Sequence, residues 1–368
     1  MTALLLSALA AGVPTDPPAA APLPAVVSAE PDAALNALFR PQTGWVGGDG
    51  AFSVVLPNGR ALWLFSDTFV GSVRDGKRRD VAMVNNTVGS QDGTGERAKV
   101  AFFVARDKEK PSALFTPPEG AKSWFWIFAG HASGDNLHVF LPRFEKADGP
   151  AAFGFKALDM WLGTVSNPTA EPTKWKTAYA KVPFAEFGEK RKVSFGSSVL
   201  TVGDFAYVYG YEESPAKVFP SRKLLTARVP KDKLAQFDEW RFWSKGEWVR
   251  EWKDATPQAG AIGAEFSVTY VPGLKRYALV TTENGLSERV VARFAEKPEG
   301  PWGEPVVLYT CPEMKRDKKL FTYAGKAHPH LAGDNELVLS YATNSFDFAR
   351  TINDATVYWP SFVRVKLK

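Results

Sequence analysis

The sequence predicts an all-β fold, and specifically a five-bladed β-propeller, on three observations. Five short apolar segments each end in a polar cluster: ALWLFSDTF from Ala61, NLHVFLPRF from Asn136, FAYVYGYEE from Phe205, RYALVTTEN from Arg276 and ELVLSYATN from Glu336. Their spacing of roughly 60 to 75 residues is too long for a helical solenoid repeat and suits a four-stranded blade with generous loops. Each segment also follows a second strand-like stretch that ends in a turn pair: Asn58-Gly59, Gly134-Asp135, Gly203-Asp204, Pro272-Gly273 and Gly333-Asp334. Amphipathic helical runs are short, whereas strand-like segments bounded by Gly and Pro recur almost to the C-terminus.

Taken in chain order, residues 1–31 open with an apolar stretch (3–13) and continue Pro/Ala-rich, the composition of a signal peptide plus linker. Small residues at Val27-Ser28-Ala29 fit cleavage near Ala29, so a secreted or periplasmic location is expected; the apolar run is too short to span a bilayer. Residues 32–368 should then be one propeller domain. Its inner hairpin strands start near Gly50, Trp124, Ser194, Ala264 and Ala324. Outer strands are expected at 81–91 with 100–106, 155–165, 224–229 with 240–248, 288–294 with 306–309, and 356–366. Blade borders fall near 110, 180, 255 and 320.

Composition narrows the function. The 45 Lys and Arg against 40 Asp and Glu are scattered, with GEKRKV the densest basic cluster, so nucleic acid is not an expected partner. Cys311 is the one cysteine, which excludes an internal disulfide and a cysteine-rich zinc site. A monomer without a required cofactor is expected, with a structural Ca2+ in the central channel left open.

Hairpin geometry indicates where chemistry can sit, because the start of the first strand and the end of the second share one edge. That edge should collect Asp49 with Asp67, Glu265 with Glu283, Lys326 and His328 with Asn344, Trp124, Trp126 and Arg143 from blade 2, and Ser197, Glu212 and Glu213 from blade 3. Glycoside hydrolysis needs two carboxyls at such a pit, one to protonate the leaving oxygen and one to activate water or attack the sugar. Glu265 is expected as the acid and Asp49 as base or nucleophile, with Asp67 as an orienting or tuning partner. Asn86, Trp126, Arg143, Lys326 and His328 would bind substrate. Alternatives remain open for each: Asp49 as a turn former among glycines, Asp67 in an Asx-type bond, Glu265 in a salt bridge to Lys326 or Arg143, and His328 as a satisfied core histidine or a ligand of a central ion or water. Most tryptophans would pack between blades, while Trp45, Trp124 and Trp126 lie near the predicted pit. No Ser-His-Asp order, P-loop or dinucleotide glycine pattern stands at a persuasive spacing.

The segments GWVGGDGAFSVVLPNGRALWLFSDTFVG (44–71), MVNNTVGSQDG (83–93), RVVARFAEKPEGPWGEPV (289–306), YAGKAHPHL (323–331) and VLSYATNS (338–345) resemble the domain-of-unknown-function 4185 family. The resemblance implies a five-bladed propeller similar to glycoside hydrolase families 43 and 32, and some members of that family are endo-D-arabinanases. Asp49 and Asp67 match its first blade and His328 its His-Pro signature. His330 stands where an acidic residue would be expected, and Gly196 and Ser197 occupy the blade 3 position of a third carboxylate. The reading is therefore a glycoside hydrolase acting on a furanose-containing, arabinan-like glycan. A non-catalytic carbohydrate-binding propeller is the alternative, and a structural or protein-binding propeller a third.

Overall fold

The computed structural model describes residues 22–120, 122–148, 154–215 and 220–368, save the Glu96 side chain, and it is built mainly of antiparallel sheets. The expected signal segment falls largely outside these residues. Of the seven sheets among the described residues, five larger ones follow one another along the chain, beside a three-stranded sheet and the two-stranded pair Ala105–Asp107 and Lys110–Ser112. The first joins Phe52–Val55, Ala61–Phe65, Thr87–Asp92 and Lys99–Phe103. The second joins Ser123–Phe125 and Gly130–Ser133 to Asn136–Lys146, Phe155–Val165 and Thr177–Lys181. The third runs Glu186–Phe187, Lys192–Val202, Phe205–Ser214, Ser221–Pro230, Arg241–Ser244 and Glu247–Val249. The fourth comprises Phe266–Val271, Arg276–Thr282, Arg289–Ala295 and Val306–Thr310. In the fifth, Leu320–Ala327, Glu336–Ser345 and Pro360–Leu367 are completed by Val26–Pro31.

That last strand corrects the expected boundary. Val26–Pro31 was read as leader and linker, yet Ala29 pairs with Val365 and Pro31 with Val363. The folded chain therefore begins before residue 32, and cleavage near Ala29 would cut a paired strand. Asp32 follows at once as the N-cap of the helix Ala33–Leu38, accepting the Leu35 N–H at 3.0 Å.

Hydrogen bonds between the leading strands link the sheets in cyclic order. Ser66 Oγ donates to Ile127 O and accepts from Ile127 N; Ala129 N–H donates to Gly196 O; Ser198 Oγ accepts from Val268 N; Ser267 Oγ accepts from Ala327 N. The circuit returns to the first sheet through Ser53 Oγ and His328 Nδ1, 2.7 Å apart. Apolar side chains fill the space between sheets, as around Trp63, which packs on Phe39 at 4.8 Å and Phe362 at 5.4 Å. Burying each such side chain contributes about 1.5–3 kcal/mol.

The expected strand 81–91 is two strands. Lys77–Val84 belongs to a separate sheet with Thr43–Gly48 and Thr68–Arg74, and the chain turns a corner at Asn85-Asn86 before Thr87–Asp92 enters the first sheet. Asn86 is fully buried there, its amide bonded to the Phe115 and Phe125 carbonyls and its Oδ1 to Phe115 N. The amide thus ties the corner to the following loop and has its hydrogen bonds met there.

Candidate active site

Asp49 lies in a run of glycines because the backbone there is crowded and left-handed. Gly47 has φ +133°, and a Cβ on it would stand 2.6 Å from Tyr358 O and 2.8 Å from Arg78 Nη2. Asp49 N–H donates to Asp67 O, and Asp49 O accepts from Ser66 N, so the two aspartates are joined through the backbone. Arg78 locks the same region from behind. Its buried guanidinium donates to the carbonyls of Val46, Thr351, Asp354 and Val357, which pins the 351–358 segment and brings Tyr358 over Asp49; burial pushes it down to about 10.

Asp49 Oδ2 accepts from the hydroxyls of Tyr323 at 2.7 Å and Tyr358 at 3.2 Å, while Oδ1 is buried with no hydrogen-bond partner among the described residues. Burial, then the charges of Asp67 and Glu265, push this carboxyl well above the usual carboxylate range, against the two hydroxyls. Asp67 differs in one respect that matters. Its Oδ1 accepts from Trp126 Nε1 at 2.8 Å and Asn85 Nδ2 at 3.0 Å, both favouring the anion, and burial nevertheless pushes it up to about 6. Oδ1 being occupied, a proton on Asp67 sits on Oδ2.

Glu265, just before the first strand of the fourth sheet, is half-buried, its side chain 21% exposed. Its Oε2 lies 3.3 Å from Lys326 Nζ, the salt bridge left open by the sequence. Lys326 is 1% exposed and is additionally bonded to the carbonyls of Gly50 and Ala324. Burial pushes its amine down, and Glu265 and Asp49 push it back up.

The structure thus gathers Asp49, Asp67, Glu265, Trp126 and Lys326 and sets three expected residues elsewhere. Lys326 itself is buried beside Glu265. His328 is a satisfied core histidine: fully buried, bonded through Nδ1 to Ser53 and through Nε2 to Ser340 at 2.8 Å, and packed on Trp63. Arg143 pairs in register with Phe125, so it shares the face opposite Trp126 and is held by Asp159 at 2.6 and 2.8 Å and by Glu119 at 2.6 Å. Trp45 and Ser197 are buried, the first stacked on Phe102 at 4.3 Å and the second donating to Ala264 O. Glu212 pairs with Arg191, Glu213 with Lys192 and Arg222, and Glu283 with Arg289.

Four residues escaped the sequence reading: Asn85, Tyr323, Tyr358 and Arg78. Tyr323 had a recoverable signal. The fifth sheet's first strand starts at Leu320, not Ala324, which sets Phe321 opposite Asn344 and Tyr323 opposite Ala342, and puts Lys326 opposite Ser340 further down.

A central cavity of about 100 Å³ lies between the leading strands, lined by Ser53, Ser197, Ser198, Ser267, Thr269 and Lys326 among others. Its hydroxyls already bridge sheets, and the one charged group on its lining is cationic. Calcium takes six to eight oxygens, commonly with carboxylates, and this donor set does not fit it. Among the described residues, no group of three or more His, Cys, Asp or Glu could hold a metal ion; no helix there is long and apolar enough to cross a membrane.

Comparison with known proteins adds the following. The family described as "Domain of unknown function (DUF5005)" has a model that matches residues 32–367. No curated protein matches the chain. Among solved structures, a candidate hydrolase from Bacteroides ovatus ATCC 8483 is similar with a TM-score of 0.73 and 19% identity, over 92% of this chain and 90% of that one. This likeness shows the fold. A GH43_1 enzyme from Xanthomonas citri complexed with xylotriose gives TM-score 0.46 and 13% identity over 93% and 91% of the two chains. A family 117 glycoside hydrolase from Zobellia galactanivorans gives 0.48 and 13% over 90% and 91%.

Proposed function

We propose a glycosidase function for this chain, which belongs to the DUF5005 family. The 4185 family remains a likeness of motifs. On this reading the five sheets are the blades of a five-bladed propeller, and the protein is a glycoside hydrolase acting on a furanose-containing, arabinan-like poly- or oligosaccharide. One observation carries it: Asp49 lies near enough to Asp67 and Glu265 to be raised by both charges, with Trp126 from the second sheet bonded to Asp67 and Tyr323 from the fifth bonded to Asp49. Paired carboxyls in unlike surroundings are what acid-assisted glycoside cleavage requires. The B. ovatus protein, described as a candidate hydrolase, points the same way. The furanose preference rests on the motif likeness alone.

The surroundings favour a division of roles other than the one expected from sequence. Asp67, poised near 6 with its proton on Oδ2, is suited to protonate the leaving oxygen. Glu265, paired with Lys326, is suited to act as the carboxylate that attacks the sugar or takes a proton from water. Asp49, clamped by two tyrosines, with Oδ1 out of solvent and its carboxyl held well above the usual carboxylate range, is suited to position Asp67 through their backbone bond.

The test is release of sugars from a panel of arabinans, arabinofuranosyl oligosaccharides, xylans and galactans, read by chromatography. Asp67→Asn and Glu265→Gln should each lower turnover by about 10²-fold or more. Wild-type rates in both variants would overturn the assignment. A non-catalytic carbohydrate-binding function is favoured by one feature, the half-buried Trp126 ring against Phe144 at 4.2 Å and Phe155 at 4.6 Å. Saturable glycan binding without turnover, lost in Trp126→Ala, would establish that reading instead.

A further inference from the structure

We infer that Lys326 is a built-in cation of the pit, a positioning residue that holds the Glu265 carboxylate charged and aimed at the substrate; the inference rests on the hydrolase reading above. The argument starts from the ammonium's three N–H groups, which meet three acceptors: Gly50 O, Ala324 O and Glu265 Oε2. No donor is left over for a ligand. The fourth side is closed by the face of Phe52, 4.4 Å from Nζ.

The backbone is shaped for this guest. Gly50 and Ala51 have φ +80° and +49°, and Ala324 has φ +57°, a left-handed conformation that costs an alanine free energy. These residues flank or supply the two carbonyls that face Nζ. The register shift between Tyr323 and Lys326 has the same consequence, since it lets one strand send Tyr323 to Asp49 and Lys326 to Glu265. A compact ammonium fits such a tripod; a planar guanidinium, with its donors in a wide fork, does not.

The charge has a specific beneficiary. Asp49 faces Glu265 from the first sheet, Tyr211 and behind it the Glu213–Arg222 pair from the third, and Tyr323 from the fifth, while Asp67 and Tyr358 adjoin Asp49 and His328 lies beside Lys326. Burial keeps the tyrosines protonated and His328 neutral. Lys326 is therefore the cation bonded to Glu265, with Asp49 near enough for its charge to be felt.

Two measurements test this. In a variant Lys326→Gln, the acid limb of the kcat/KM profile should move to higher pH by about one unit or more, because an opposite charge this close favours the ionised carboxylate. kcat should fall at least tenfold at pH 6 with KM changed less than threefold. An acid limb left where the wild type has it would overturn the inference while leaving the hydrolase reading intact. The second measurement needs neither turnover nor a Lys326 variant. Wild-type protein with ¹⁵N-labelled lysine should show one exchange-protected ammonium signal at pH 6 that shifts in Glu265→Gln. Absence of such a signal, or one indifferent to Glu265→Gln, overturns the inference even if no glycan is cleaved.

Discussion

Replacing Trp126 by phenylalanine should move the alkaline limb of the pH–activity profile upward. The substitution keeps an aromatic ring against Phe144 and Phe155 and deletes a single interaction, the Nε1–H bond of 2.8 Å to Asp67 Oδ1. A hydrogen bond to a charged group is worth about 1.5–3 kcal/mol, and one pKa unit corresponds to 1.36 kcal/mol, so the ceiling is about one to two units. Asn85 still donates to the same oxygen, which places the expected shift near the lower end, about one unit. The sign follows from the state the bond favours. Donation to Oδ1 stabilises the anion, its loss favours the neutral acid, and Asp67 rises above its present value of about 6. A general acid must be protonated to act, so activity should persist to higher pH. The assay is kcat/KM from pH 4 to 9 on whichever glycan the panel identifies, for wild type and Trp126→Phe. A limb that stays in place or moves down would refute both the role of Asp67 as acid and the assignment of Trp126 as its tuning donor.

Asp67→Asn should stabilise the protein at pH 8 while lowering turnover about 10²-fold or more: burial pushes Asp67 up to about 6 in the fold against 3.8 when free, so its contribution is fully present below 3.8, is lost as pH rises to 6, and amounts to about 3 kcal/mol. Denaturant titrations at pH 4 and pH 8 check this, and a variant no more stable than wild type at pH 8 would count against a buried, strained acid. Arg78→Ala should lower stability by at least about 3 kcal/mol and cut activity, because four carbonyls lose their donor and Tyr358 loses its anchor. Arg78→Lys should not restore it, since one ammonium cannot reach the same acceptors.

The hairpins were legible in the sequence because their signal is local: alternating apolar residues, then Asn-Gly or Gly-Asp, then a second alternating run. What sequence could not show were pairings between distant residues. Val26–Pro31 carries no upstream turn and finds its partner at Pro360–Leu367, so its small and apolar residues read as a leader. Thr68–Arg74 and Lys77–Val84 likewise leave the first sheet for one of their own, and nothing in residues 81–91 marks where one strand ends and the next begins. That hidden corner explains the choice of Asn86 over Asn85. Two successive residues point to opposite sides, and a strand drawn straight through the corner cannot say which side faces the pit.

The same reasoning accounts for His328, and it identifies what kind of position sequence patterns miss. Alternation places Lys326, His328 and His330 on one face only if the strand runs through all three, whereas it ends at Ala327 and Pro329–Leu331 is a 3-10 turn; just upstream the register shifts between Tyr323 and Lys326, at Ala324 with φ +57°. Ala51, beside Asp49, has φ +49°, and Tyr358, whose hydroxyl reaches Asp49, has φ +65°. Each such non-glycine residue costs of order 1–3 kcal/mol and is the conformation a propensity rule would assign last. All three adjoin the carboxylates, where they turn a carbonyl toward Lys326 or bring a hydroxyl to Asp49. Acid-bearing edges can be read from regular hairpins, which is why Asp49, Asp67 and Glu265 are expected at one edge; the groups that bond to those acids sit where the hairpins stop being regular. Asn85, Tyr323, Tyr358 and the cradle of Lys326 are therefore visible only once the backbone is.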